Sequence, residues 1–80
     1  MTNLEKYNKA FLSTMRITPE QLGDDLAYLR TKGWDSVSHF DMITALEDMF
    51  DISISSVDVL RFNTYPKGKE VLKTYGVEIA

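Results

Sequence analysis

A serine at the expected start of a helix is the residue of this chain that is best placed for chemistry. Ser36 directly follows Asp35, and a hydroxyl group there is a potential nucleophile. A catalytic serine needs a base, but the chain has a single histidine, His39, and no cysteine. The sequence also contains no glycine-rich phosphate loop and no cluster of metal ligands. These residues favour a serine that another protein modifies over a serine that catalyses a reaction.

The length and composition of the chain leave room for one small domain, residues 1–80. A chain of this size buries only about 60–65% of its unfolded surface, which supports a single small core. We therefore expect a substrate or adaptor protein and not an enzyme. No apolar run reaches the roughly 18 residues of a membrane span, and the N-terminus lacks the layout of a signal peptide. The expected state is a cytoplasmic monomer without a bound metal.

The charge of the chain is unevenly distributed. Residues 33–60 hold six carboxylates and no lysine or arginine, which is a charge of −6. The remaining six carboxylates and nine basic residues leave the rest of the chain at +3. Because an acidic surface repels a phosphate backbone, nucleic acid is not an expected partner. The partner surface that this segment favours is a basic patch on another protein.

The spacing of apolar residues predicts a helix at the start of the chain and then a long loop. The first helix is indicated by apolar residues spaced by three or four positions, at Leu4, Tyr7, Phe11 and Met15. Thr2 or Asn3 is its expected cap. Segment 16–35 has no sustained period, apart from one short helical turn after Thr18, and its leucines are expected to anchor it on the core. These leucines are Leu22, Leu26 and Leu29.

Three more helices are predicted after the loop. Asp35 is the expected N-cap of the second helix, and Ser55 or Ser56 caps a short third one. The fourth helix begins near Thr64 and ends at Gly76 as its C-cap, and Gly68 inside it predicts a close approach by a neighbouring element. The expected fold is all-α, a small four-helix bundle. It has three longer helices, one short helix and a long loop between the first and second helices.

The second helix is predicted to have two different faces at about 100° per residue. Its core face is assigned to Phe40, Ile43, Leu46 and Phe50. Beside Ser36 lies a stripe that we call the acidic stripe, and it consists of Val37, Asp41, Thr44, Glu47, Asp48 and Asp51. The acids have no lysine three or four positions away, which favours a docking surface for a partner over a merely solvated face. Two other residues have structural expectations: His39 should pack on the core side, and Trp34 should anchor the loop.

The chain resembles the acyl carrier protein family over nearly its whole length. Asp35-Ser36-Val37 matches the attachment motif of that family, with valine in place of the usual leucine. Residues 45–51, Ala-Leu-Glu-Asp-Met-Phe-Asp, match its Ala-Leu-Glu-Glu-x-Phe segment, and Ile54 matches the isoleucine that follows. The order of long helix, long loop, motif, acidic helix, short helix and final helix is similar as well.

The resemblance implies that the chain is a carrier. A phosphopantetheinyl transferase would attach 4'-phosphopantetheine to Ser36, next to Asp35. The thiol at the end of this arm would hold an acyl group as a thioester, for delivery to acyl-loading and acyl-using enzymes that have basic patches. The acyl chain can fold back between the helices, and the candidates to line that pocket are Phe40, Leu46, Phe62 and Leu72. Fatty acid, polyketide and specialised lipid pathways all stay open.

Departures from the family pattern leave two alternatives. Common carriers have an acid two positions after the serine and more acids in the third helix, whereas this chain has Ser38, Met49, Ser53 and Ser56. Fewer carboxylates should weaken docking to the enzymes that serve common carriers. The chain could instead carry an activated amino acid or peptide. It could also be an unmodified acidic interaction module in which Ser36 only caps a helix.

Overall fold

Four α-helices account for the fold in the computed structural model, which describes residues 1–79. The helices are α1 (Asn3–Thr14), α2 (Ser36–Phe50), α3 (Ser56–Arg61) and α4 (Tyr65–Lys73), with a short 3₁₀ turn at Pro19–Gln21. The predicted all-α bundle with a long loop between its first two helices is confirmed. None of the helices in residues 1–79 is long and apolar enough to cross a membrane.

Side-chain oxygens determine where the helices begin. Thr2 and Glu5 form a capping box at the start of α1, and Asp35 caps α2. Ser55 caps α3 and Thr64 caps α4. Each of these side chains accepts a hydrogen bond from a first-turn amide, which would otherwise lack a partner. The N-caps predicted for the first three helices and the predicted start of the fourth are therefore confirmed.

The centre of the bundle is a group of interlocked aromatic rings, which we call the aromatic core. Its members are Tyr7, Phe11, Trp34, Phe62 and Tyr65. Phe11 packs nearly perpendicular to Trp34, with ring centroids 5.3 Å apart, an arrangement that aromatic pairs favour. The Tyr7 hydroxyl donates to the carbonyl oxygen of Tyr65 at 2.6 Å. Burial raises the pKa of Tyr7 far above its usual range, so it stays a neutral donor inside the core.

The long loop is held on the bundle by backbone pairing as well as by apolar contacts. The amide of Tyr65 donates to Leu26 and that of Tyr28 donates to Asn63, both at 3.0 Å. Leu26 is buried as predicted and Leu22 packs partly against the core. The prediction for Leu29 was wrong, since its side chain is 70% exposed. Its backbone turns with φ +61°, and its amide bonds to the carbonyl of Trp34 at 2.8 Å.

Gly33 fixes the end of the loop immediately before α2. Its φ is +104°, and a Cβ atom there would lie 3.0 Å from the carbonyl oxygen of Arg16. Glycine is the residue that accepts both the left-handed conformation and so close a backbone contact. The last residues before Ser36 are thereby held against the end of α1.

Gly68 in α4 makes the close approach that the sequence predicted. A Cβ atom at this position would overlap the Tyr7 hydroxyl and the Phe62 ring. The predicted C-cap at Gly76 was wrong, because α4 ends at Lys73 and Thr74 is its C-cap. After Lys73, the amides of residues 74–76 each donate to the carbonyl oxygen of the third residue before them. Gly76 itself has φ +81°.

Replacement of Gly68 by alanine should destabilise the protein by about 2 kcal/mol. The higher helix propensity of alanine should add about 1 kcal/mol to the free energy of unfolding. The steric overlap with Tyr7 and Phe62 should outweigh this gain, so that the net effect is a loss of stability. Urea unfolding measures the difference. The matched control is Gly23→Ala, where a Cβ atom meets nothing within 4 Å and the change should stay within about 0.5 kcal/mol. Equal stabilities of the two variants would contradict the packing described here.

Candidate attachment site and docking face

Ser36 is an exposed residue at the first position of α2, and Asp35 caps the helix in its place. The Asp35 carboxylate accepts from the Ser38 amide at 2.9 Å, and the Asp35 amide donates to the Ser38 hydroxyl oxygen at 3.0 Å. Because these two residues satisfy each other, the Ser36 hydroxyl is not needed as a cap. Ser36 is therefore not the N-cap of α2.

Ser38 has a structural role that the sequence did not reveal. It is buried, and its hydroxyl also donates to the carbonyl oxygen of Gly33 at 2.9 Å. This bond joins the first turn of α2 to the end of the loop. A serine in place of the acid of common carriers therefore contributes to the geometry around Ser36 instead of to a charged surface.

The Asp35 carboxyl group has a lowered pKa. The backbone amide of Ser38 lowers the pKa most, and the Ser38 hydroxyl adds to the effect, because both hydrogen bonds favour the ionised form. Asp35 is therefore ionised near neutral pH. It places a negative charge directly beside Ser36.

Trp34 and His39 connect three elements of the fold. The indole Nε1–H of Trp34 donates to His39 Nδ1 at 2.9 Å, and His39 Nε2 lies 2.8 Å from the carbonyl oxygen of Val59. Since Nδ1 accepts, Nε2 is the nitrogen that donates to Val59. Both side chains are buried, so the loop-anchor role of Trp34 and the packed role of His39 are confirmed. The contact links the loop, α2 and α3.

The acidic stripe lies along α2 next to Ser36, and five of its six residues are exposed. The exception is Glu47, which is half-buried and accepts from the Ile54 amide at 2.8 Å. The one ion pair within residues 1–79 joins Arg61 to Asp58. The exposed acids of α2 therefore have no basic partner in the part of the chain that the structure describes.

Phe40 does not belong to the core, contrary to the sequence assignment. Its side chain is 60% exposed, whereas Ile43 and Leu46 are buried and Phe50 is half-buried. Thr44 and Glu47 follow Phe40 by four and seven residues, which is about 40° and 20° from it around the helix. Phe40 therefore shares the face of the acidic stripe. The same count of residues could have placed it there from the sequence.

An apolar groove that the sequence did not reveal lies between α2 and α3. It has a volume of about 420 Å³, and Leu60 at its edge is 78% exposed. We call it the α2–α3 groove, and its lining residues are Phe40, Ile43, Thr44, Glu47, Ile54, Ser56, Val59 and Leu60. The available signal was the predicted third helix, which is too short to bury all of its apolar residues and leaves Leu60 exposed.

The four residues proposed to line an acyl pocket are not brought together. Leu46, Phe62 and Leu72 are fully buried in the core. Phe40 lies instead in the α2–α3 groove.

Two curated relatives show the family. The chain is 34% identical over 68 residues to the acyl carrier protein of Buchnera aphidicola subsp. Schizaphis graminum (strain Sg), with 84% of this chain and 86% of the relative covered. It is 30% identical over 74 residues to the acyl carrier protein of Buchnera aphidicola subsp. Acyrthosiphon pisum (strain Tuc7), with 91% and 92% covered. The chain belongs to the acyl carrier protein family. No family model matches this chain, and no solved structure matches it.

Asp35→Asn should reduce the stability of this family member, and the deficit should disappear in acid. A carboxylate whose pKa is lowered by folding stabilises the native state above its unfolded pKa, close to 3.8. This stabilisation is lost as the pH falls through the lower pKa of the folded state. Urea unfolding of both proteins from pH 7 to about pH 2.5 measures the difference. Glu5 and Asp58, whose pKa values are lowered as well, are present in both proteins. A deficit that stays constant over this range would contradict the prediction.

Proposed function

We propose that this protein carries acyl groups as thioesters on a 4'-phosphopantetheine arm attached to Ser36. The observation that supports this most is the exposed Ser36 hydroxyl at the first position of a 15-residue helix whose cap is a different residue, Asp35. Membership of the acyl carrier protein family supports the same conclusion. The protein then acts by tethering its cargo, which raises the effective concentration of the cargo at each enzyme.

The surroundings of Ser36 fit a phosphodiester. A phosphate at the N-terminus of α2 would be favoured by about 0.3–1 kcal/mol through the helix dipole. A groove of about 680 Å³ runs beside this end of the helix, and its lining includes Arg16, Lys32 and Val37. Arg16 and Lys32 are the basic residues of this groove, which Asp35 and Asp41 line as well.

The chain supplies a nucleophile, and the transferase must supply the rest of the attachment chemistry. The Ser36 oxygen would bond to the phosphorus of coenzyme A that carries pantetheine, and adenosine 3',5'-bisphosphate would leave. The Ser36 proton would pass to a base of the transferase. His39 does not serve as that base, because it is buried and both of its ring nitrogens are engaged with Trp34 and Val59. The proposed function is thus that of a substrate and carrier and not that of an enzyme.

The acidic stripe is the surface that we propose for docking. Asp41, Asp48 and Asp51 are exposed and unpaired within residues 1–79, so a basic patch on a transferase or an acyl-handling enzyme meets uncompensated charge. Leu60 extends this face onto α3 as an exposed apolar residue that lines the same groove as Thr44 and Glu47. We therefore propose that the partners are enzymes of a fatty acid, polyketide or specialised lipid pathway. Their docking surfaces would combine basic and apolar residues.

Incubation with coenzyme A, magnesium and a phosphopantetheinyl transferase should add the mass of one phosphopantetheine group to the protein. Intact-mass spectrometry detects the addition. Ser36→Ala should abolish it, whereas Ser53→Ala, which alters another exposed serine, should leave it unchanged. A wild-type protein that gains no mass, or a gain that survives in Ser36→Ala, would overturn the proposal.

Reversal of charge at Asp41 and Asp48 to lysine should slow the transfer to Ser36 by roughly tenfold or more at low salt, because electrostatic steering is lost. The initial rate of mass gain measures the effect. The matched control reverses Asp24 and Asp25, two exposed loop acids outside the acidic stripe, with the same change in net charge. Equal rates for the two double variants would show that net charge, and not the stripe, controls docking.

A further inference from the structure

Leu29 is an exposed apolar residue that the long loop holds in an unfavourable backbone conformation. Its φ is +61°, in the left-handed region, and its side chain is 70% exposed. Leucine is disfavoured in this region because its Cβ atom crowds the carbonyl oxygen, whereas glycine and asparagine adopt it more readily. The side chain gains little burial in return, since most of its surface stays in water. Neither backbone preference nor core packing accounts for a leucine at this position.

The turn around Leu29 is closed by backbone hydrogen bonds. The Leu29 amide donates to the carbonyl oxygen of Trp34 at 2.8 Å. The amides of Arg30 and Thr31 both donate to the carbonyl oxygen of Ala27, at 3.3 and 2.9 Å. A conformation that is unfavourable by itself persists here because the surrounding bonds fix it. Backbone strain that is held in this way occurs mainly at functional positions, so the conformation of Leu29 points to a role outside the fold.

Leu29 lies close to the hydroxyl that is modified in the proposed function. Its amide bonds to Trp34, and Ser36 follows Trp34 by two residues. The backbones of Leu29 and Ser36 are therefore within about 10 Å of each other. Val37, the residue after Ser36, is 71% exposed. Two exposed apolar side chains thus lie near Ser36, one from the loop and one from α2.

An enzyme that acts on Ser36 must cover a surface wider than this distance. A specific interface buries about 800 Å² on each partner, which corresponds to a disc of about 16 Å radius. A contact surface of that size, centred on Ser36, extends as far as Leu29. The transferase has to reach the Ser36 oxygen itself, whereas enzymes that use the cargo can meet the end of a long arm. The transferase is therefore the partner that Leu29 is placed to contact.

We propose that the phosphopantetheinyl transferase contacts Leu29 and buries its side chain in an apolar pocket of the enzyme beside Ser36. The proposal rests on the proposed function, because it concerns the enzyme that modifies the same serine. It adds a contact from the loop to the contacts that the acidic stripe makes from α2. Burial of an exposed leucine side chain in such a pocket strengthens binding roughly tenfold or more.

Leu29→Asn separates this role from a structural one. Asparagine suits the left-handed conformation better than leucine, so the variant should unfold at the same or a higher urea concentration. Its KM as a substrate of the transferase should rise roughly tenfold with kcat unchanged, because only docking is impaired. The matched control Leu29→Met keeps an apolar side chain of similar size, and its KM should stay within about twofold of the wild-type value. An unchanged KM in Leu29→Asn, or unfolding at a lower urea concentration, would overturn the proposal.

Binding without transfer provides a check that does not depend on the carrier function. Ser36→Ala cannot accept the arm but keeps Leu29 and the acidic stripe. Titration calorimetry with the transferase should show a dissociation constant that rises roughly tenfold when Leu29→Asn is added to Ser36→Ala, but not when Leu29→Met is added. Failure of Ser36→Ala to bind, or equal effects of the two changes, would overturn the proposed contact. A wild-type protein that gains no mass while binding still depends on Leu29 would refute the carrier function and leave this contact standing.

Discussion

The buried contact between Trp34 and His39 holds together the parts of the molecule on which the proposed site depends. The indole N–H donates to one ring nitrogen of His39, and the other ring nitrogen bonds to the Val59 carbonyl of α3. A helix of six residues is too short to be stable alone, so α3 relies on such contacts for its position. A hydrogen bond from Tyr75 to Asp58 at 2.6 Å provides a second attachment of α3, to the segment that follows α4. The bond between Trp34 and His39 also fixes the end of the loop directly before Ser36.

The loop and the first turn of α2 form a rigid junction that leaves one hydroxyl uncommitted. Gly33 allows the backbone to approach Arg16, and Ser38 bonds to both Gly33 and Asp35. The Asp35 carboxylate and the Ser38 hydroxyl bond to each other and to nearby backbone groups, and not to Ser36. In the proposed transfer, this arrangement would present an exposed residue on a fixed backbone to the transferase.

The proposed docking face would combine two physical interactions that act over different distances. Carboxylates along α2 would attract a basic partner from a distance and orient it, but would contribute modestly once water and salt screen them. The exposed apolar residues Phe40 and Leu60 would act only in contact, when their surface is removed from water.

The sequence alone determined the helices and their N-caps, because capping and periodicity act over a few neighbouring residues. It also indicated Ser36 as the candidate attachment point and the acids beside it as a stripe. Only the tertiary structure decided where the apolar side chains lie. Phe40 is exposed although it is as apolar as the buried Leu46, because α3 does not cover it. Leu29 is likewise exposed although Leu26 in the same loop is buried. Gly68 by itself predicted a close approach, but its partner Tyr7 lies near the other end of the chain, and a contact between such distant residues has no local signal in a single sequence.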